Sequence, residues 1–208
     1  PMLYLTLGVS LLLGIGLFFL LPVFISGLIA RFASLSAWGV NLIEGVIRLL
    51  MLIGYLWLIG KMPDINRVFM YHGAEHKTIN AFEDGAKLTP DEVAKYSVEH
   101  PRCGTSFILT LVLLSIVIFS LFGPLPLHLR LISRLLMIPV LAGISYEYIR
   151  LLSKILDTQF GKLISKPNLA LQRLTTREPT QDMLEVAIRA FTEMKAMEDE
   201  GETSTATV

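Results

Sequence analysis

Apolar residues gather in four long runs, Leu3 to Ile25, Trp38 to Met62, Thr105 to Phe122 and about Leu131 to Leu152. A helix of about 20 apolar residues crosses a hydrocarbon core about 30 Å thick, so each run is read as a membrane span. Pro22 is expected to end or kink the first near its exit, and Gly123-Pro124-Leu125-Pro126 closes the third. Polar positions set the pattern elsewhere. After Pro63-Asp64, the residues Ile65, Val68, Phe69, His72, Glu75, His76, Ile79 and Glu83 recur at spacings of three and four, which predicts one helix ending near Gly85. Thr89-Pro90-Asp91-Glu92 combines a capping threonine, a first-turn proline and a glutamate three residues after the cap, predicting a second helix from Thr89 to about Val98. From Thr180 to Ala196, Met183, Leu184, Ala187, Ile188, Phe191 and Met194 mark an amphipathic helix, on the membrane or on the body of the protein. From Gly201 the chain is small and polar, and disorder is expected.

The fold class is therefore all-α: an integral membrane protein with four transmembrane helices, a helical cytoplasmic loop and a C-terminal amphipathic helix. Its parts are 1–62 (spans one and two), 63–104 (the loop), 105–152 (spans three and four) and 153–208 (the C-terminal region). Composition agrees, since 53% hydrophobic and 17% charged residues exceed what a soluble domain of 208 residues carries. Eighteen basic and eighteen acidic residues cancel, leaving no field that argues for nucleic acid. Their distribution gives the orientation. Lys61, Arg67, Lys77, Lys87, Lys95 and Arg102 lie between spans two and three, and Arg150, Lys154, Lys162, Lys166, Arg173 and Arg177 follow span four. The opposite linkers hold only Arg31 and Arg130, with Arg134 just inside the helix, so the positive-inside rule puts the loop and both termini in the cytoplasm. The uncharged start lacks the basic region of a signal peptide, and beginning at Pro1 the chain is expected to be part of a longer protein.

The chemistry is concentrated in the loop. His72 and His76 stand one helical turn apart on one face, and His100 and Cys103 form a second pair at i, i+3 before the third span. Two imidazoles so spaced can share a transition metal, most naturally Zn²⁺, and the second pair can complete a set of three nitrogens and one sulfur. Alternatively three side chains bind and the fourth position is left to water, as catalysis requires. Glu75 borders the histidine face as candidate general base, in the His-x-x-Glu-His order of the inverted zincins. Glu83 and Glu147 are additional candidates, as a further ligand or as partner to a liganding histidine. Lys77 and Arg102 suit an anionic substrate. The single cysteine excludes an internal disulfide, and a cytoplasmic thiol stays reduced. Inside the spans, Asn41, Glu44 and Arg48 share a face of the second helix at a depth close to that of Arg134, and such costly groups must pair or face water. Both a polar cavity and a structural ion pair fit them.

Asp64-Ile65-Asn66-Arg67-Val68-Phe69-Met70-Tyr71-His72-Gly73-Ala74-Glu75-His76-Lys77 and His100-Pro101-Arg102-Cys103-Gly104-Thr105-Ser106 resemble the YqhQ-like family of bacterial membrane proteins. The likeness extends through Asn41-Leu42-Ile43-Glu44-Gly45, Ser145-Tyr146-Glu147 and Leu171-Gln172-Arg173-Leu174-Thr175-Thr176-Arg177-Glu178-Pro179. It implies a multi-pass protein of the bacterial inner (plasma) membrane, and a metal-dependent enzyme whose reaction is not established. Two features depart from the family pattern: there is no Gly- and Met-rich segment before the first span, and Asn168-Leu169-Ala170 stands where Gly and Trp are expected. Three functions follow as expectations. One is a metal-dependent hydrolase of a membrane-associated substrate, with Glu75 as base. Another is a scaffold that docks a protein partner around a closed zinc site, and a third is a metal or solute transporter with Glu44, Arg48 and Glu147 along its path. Oligomeric state is not legible in the sequence.

Overall fold

The computed structural model describes residues 2–33, 35–123, 125–156 and 158–205. Every element is helical: α1 (Met2–Ile15), a π turn (Gly16–Leu20), α2 (Leu21–Phe32), α3 (Ala37–Ile59), α4 (Pro63–Glu83), α5 (Pro90–Val93), α6 (Thr105–Ser120), α7 (Leu127–Lys154), α8 (Gln159–Gln172) and α9 (Gln181–Thr205). The chain divides into two compact units. One comprises the residues up to Tyr55 with Gly104–Ser165, the other Leu56–Cys103 with the chain from Lys166 onward.

The first unit holds most of the apolar length. Met2–Phe32, Ala37–Ile59 and Leu127–Lys154 are each long and apolar enough to cross a bilayer. These three helices mark a multi-pass membrane protein. The third predicted span is the shorter helix α6, whose 16 residues reach only about 24 Å at 1.5 Å per residue. Helix α1 buries none of its residues, and Leu12 is 71% exposed, so lipid is the solvent that its sequence requires.

Pro22 does not end the first span. Lacking an N–H, it cannot bond the carbonyl of Phe18 four residues back. The chain instead widens into the π turn, and Arg48 Nε donates to Phe18 O at 2.9 Å. That arginine belongs to the polar cluster expected within the spans. Glu44 accepts four hydrogen bonds, on Oε1 from Arg48 Nη2 (2.9 Å) and Arg134 Nε (2.9 Å), and on Oε2 from Arg130 Nη2 (2.8 Å) and Arg134 Nη2 (3.0 Å). Arg48 Nη1 donates to Ser115 Oγ at 2.7 Å, Arg134 Nη2 to Asn41 Oδ1 at 2.9 Å, and Asn41 Nδ2 to Phe122 O at 3.0 Å. The Arg134 guanidinium also lies 4.0 Å from the centroid of the Phe119 ring. Glu44 thus ties α3 to α7, and Arg48 ties α3 to α6 through Ser115. Glu147, on α7, is exposed and pairs with Arg150 at 3.4 Å.

The second unit is built on α4. Pro63 opens this helix and Asp84 closes it, and Gly85 then takes φ 72°, the left-handed conformation that lets the chain reverse. Ala74 and Ala81 on α4 form a core with Val93 of α5 and with Met183 and Leu184 of α9. The amphipathic C-terminal helix accordingly packs on the protein's body, and it runs to Thr205, past the Gly201 at which disorder was expected.

Helix α5 is shorter than predicted, and Thr89 makes no side-chain cap. Its continuation is prevented by α4, because side chains there take the carbonyls that a helix would use. Lys77 Nζ donates to Ala94 O (2.9 Å) and Tyr96 O (2.7 Å), Asn80 Nδ2 to Ser97 O (2.9 Å) and Glu99 O (3.0 Å), and His76 Nδ1 bonds Val98 O (2.7 Å). Residues 94–99 are therefore an irregular strap along the polar face of α4. Helix α8 carries Pro167 in its interior, where proline removes a backbone bond, and the sequence pattern did not predict it.

Candidate metal centre

Three ligand atoms, one each from His72, His76 and Cys103, lie within 4.8 Å of one another. Two come from α4 by its pitch, which stacks residues four apart. Their rings meet edge to face with centroids 4.3 Å apart. Cys103 comes from the turn before α6, where its N–H donates to His100 O at 3.3 Å. That turn is fixed by Gln172 of α8: the His100 N–H donates to Gln172 Oε1, and Gln172 Nε2 donates to His100 O, both at 2.8 Å.

Hydrogen bonds fix which imidazole nitrogen faces inward. His72 Nδ1 is 2.9 Å from Thr175 O and His76 Nδ1 is 2.7 Å from Val98 O. A carbonyl only accepts, so each Nδ1 carries a proton, and in the neutral ring Nε2 is the nitrogen with a lone pair. His72 Nε2 stands 3.1 Å from Cys103 Sγ. This is the arrangement of liganding histidines, whose outer N–H is held by an acceptor that orients the ring. The Cys103 sulfur at Nε2 raises the His72 pKa above its ordinary value, against the effect of burial and with help from Thr175 O. A site that favours a proton on that lone pair also favours a metal cation, and two imidazoles with one thiol are the donor chemistry of zinc.

Gly73, between the histidines, explains how Thr175 reaches the ring. A Cβ at this position would collide with the backbone carbonyl of Arg177, whose own N–H donates to Phe69 O at 3.0 Å. Only glycine lets residues 173–178 lie directly against α4.

A family model described as "Protein of unknown function (DUF1385)" matches residues 1–197. The chain belongs to that family. The "Uncharacterized protein YqhQ" of Bacillus subtilis (strain 168) is 41% identical over 199 residues, covering 94% of this chain and 62% of that protein. The chain thus spans less than two thirds of that relative's length. No solved structure matches it.

The other expected site residues lie outside this group of three. His100 is outside the group of three. Its Nδ1 accepts the Arg102 N–H at 3.3 Å, its Nε2 lies 3.4 Å from Glu83 Oε2, and its ring centroid is 5.9 Å from that of His76. Burial lowers the His100 pKa, with Glu83 opposing. Glu83, expected as a further ligand, instead joins His100 to Arg102, whose Nη1 is 3.3 Å from Oε1. Lys77, expected at the substrate, is buried and bonded to two carbonyls of the strap and to Glu178 at 3.0 Å, so it holds the fold. Glu75 is exposed on α4 beside His76, and Arg102 is 58% exposed. Val98, Thr175 and Gln172 were not anticipated. The first two act through main-chain oxygens, which leave no mark in a sequence.

Proposed function

We propose that the chain is a metal-dependent hydrolase of the bacterial plasma (inner) membrane, with His72, His76 and Cys103 holding a zinc ion. The observation that carries this reading is the convergence of ligand atoms from two imidazoles and one thiol, with each imidazole oriented by a carbonyl at Nδ1. When bound, the ion supplies a Lewis acid that polarises a carbonyl or phosphoryl oxygen and acidifies water. Among the described residues three side chains supply ligand atoms, which leaves room in a tetrahedral set for a reacting group. Glu75, exposed beside His76, is the base that takes a proton from the attacking water. Arg102, exposed and loosely paired, receives an anionic part of the substrate.

The orientation in this proposal is four crossings, with α6 as a short one, and termini and metal loop in the cytoplasm. The asymmetry of Lys and Arg supports it, and a short span is tolerated through local thinning of the bilayer. One observation favours a second reading, a closed structural site in a partner-docking scaffold. The His100 ring is near enough to His76 to become a fourth ligand by giving up its weak contact with Glu83.

Metal analysis of the purified chain and three variants separates these readings. About one zinc per chain is expected in the wild type and well below that in His72→Ala and Cys103→Ser, with His100→Ala retaining metal. Loss of metal in His100→Ala would favour the closed site. Glu75→Gln is expected to keep its metal and lose hydrolysis, and unchanged hydrolysis would remove Glu75 from the mechanism.

A further inference from the structure

A second polar locus lies within the membrane-spanning unit. Glu44 is the one carboxylate bonded to Arg48, Arg130 and Arg134, so three positive charges meet one negative charge among the described residues. Arg48 and Arg134 place their nitrogens on Glu44, Asn41, Ser115, Ser133 and Phe18 O. Arg130 differs from both. Its Nη2 donates to Glu44 and to Ser26 Oγ (3.0 Å), while its buried Nε has no partner among the described residues. A buried, unmatched guanidinium N–H within a unit that already carries excess positive charge is costly unless an anion answers it.

The space for that anion is beside it. A cavity of about 410 Å³ is lined by Arg130, Arg31 and Asn41 on its polar side and by apolar residues including Phe24, Leu28 and Leu125. It is formed where α2 ends, α3 begins and α7 begins, at one end of the spanning helices. Phe24 and Leu28 are 61% and 48% exposed, so the apolar wall continues onto the outer surface of α2, where acyl chains lie. A pocket with guanidinium groups at its head and a greasy wall leading to lipid matches an amphiphile with an anionic head.

We propose that this cavity binds the phosphate of an anionic phospholipid, with Arg130 and Arg31 as its contacts. The site is independent of the metal centre, and its charge explains why Arg130 is buried with an unmatched N–H.

Trp38, 58% exposed and lying in sequence between the lining residues Ala37 and Val40, serves as reporter. The full chain carrying Trp57→Phe is titrated in detergent micelles with brominated phosphatidylglycerol or brominated phosphatidylcholine, and quenching of Trp38 is followed. Phosphatidylglycerol is expected to quench with a midpoint about tenfold below that of phosphatidylcholine. Arg31→Gln, at an exposed position, should remove that preference, and Arg130→Lys, which keeps a positive charge for Glu44 and lacks the Nε donor, should weaken it. Circular dichroism checks that both variants are folded, and Arg31→Gln decides the matter if Arg130→Lys is not. Equal midpoints for the two lipids, or a preference unchanged in Arg31→Gln, would overturn the proposal. Relief of quenching by inorganic phosphate at similar concentrations would assign the cavity to a free oxyanion and overturn the lipid assignment.

Discussion

His72 and His76 differ from His100 in what their Nδ1 atoms do. The first two donate to carbonyls, with the Nε2 of His72 turned to Cys103 Sγ, whereas the Nδ1 of His100 accepts and its Nε2 faces Glu83. The pH response of His100 follows from its burial. Its folded-state pKa lies below the ordinary histidine value, so the neutral ring stabilises the fold fully above about pH 6.5. That contribution is lost as pH falls through the depressed folded value. The His72 contribution runs the other way, since its folded-state pKa is raised, so the metal-free protein is compared between about pH 5 and 8 with His100→Gln, whose stability should fall less toward acid. An equal decline in the variant would contradict the assignment. At Gly73 the expected effect is steric: Gly73→Ala sets a methyl against the Arg177 carbonyl and should cost about 1–3 kcal/mol in chemical denaturation, with weaker metal retention. Spacing alone made His72, His76 and Cys103 legible in the sequence. It also suggested His100, whose place depends on the turn that carries it, and it gave no sign of the burial of Lys77, which depends on the irregular strap of residues 94–99.

Among the elements, α4 was the most legible, since its apolar and polar positions follow the helical period and proline and glycine mark its ends. The fate of Thr89–Val98 was not, because the competition that shortens α5 comes from side chains on another helix. Pro22 shows the same limit: the missing N–H was visible, but the Arg48 donor that takes the freed carbonyl was distant in sequence. Asn41, Glu44, Arg48 and Arg134, grouped in the sequence by their depth in the spans, share hydrogen bonds in the structure, whereas Arg130 read as a linker charge. This cluster joins α3, α6 and α7, and its carboxylate cannot be replaced by a neutral side chain without stranding guanidinium groups. Glu44→Ala should destabilise the detergent-solubilised protein by about 3–5 kcal/mol, measured as denaturant or thermal sensitivity. A change under about 1 kcal/mol would show the arginines to be solvated without it.

At the scale of the whole molecule, the chain has a lipid-solvated unit with three helices long enough to span a bilayer and a second unit that carries the metal ligands. Cys103 is the single cysteine, so it reports sidedness without engineering. A membrane-impermeant maleimide should leave the chain unlabelled in intact cells and label it in inverted vesicles, more strongly after a chelator removes bound metal. Labelling from outside intact cells would reverse the proposed orientation. The central claim is that two imidazoles and this thiol share one ion. X-ray absorption at the zinc edge of the zinc-loaded chain tests it most directly. The account predicts one sulfur scatterer with imidazole nitrogens, the sulfur lost in Cys103→Ser, and a zinc environment with no sulfur in the wild-type chain would contradict it.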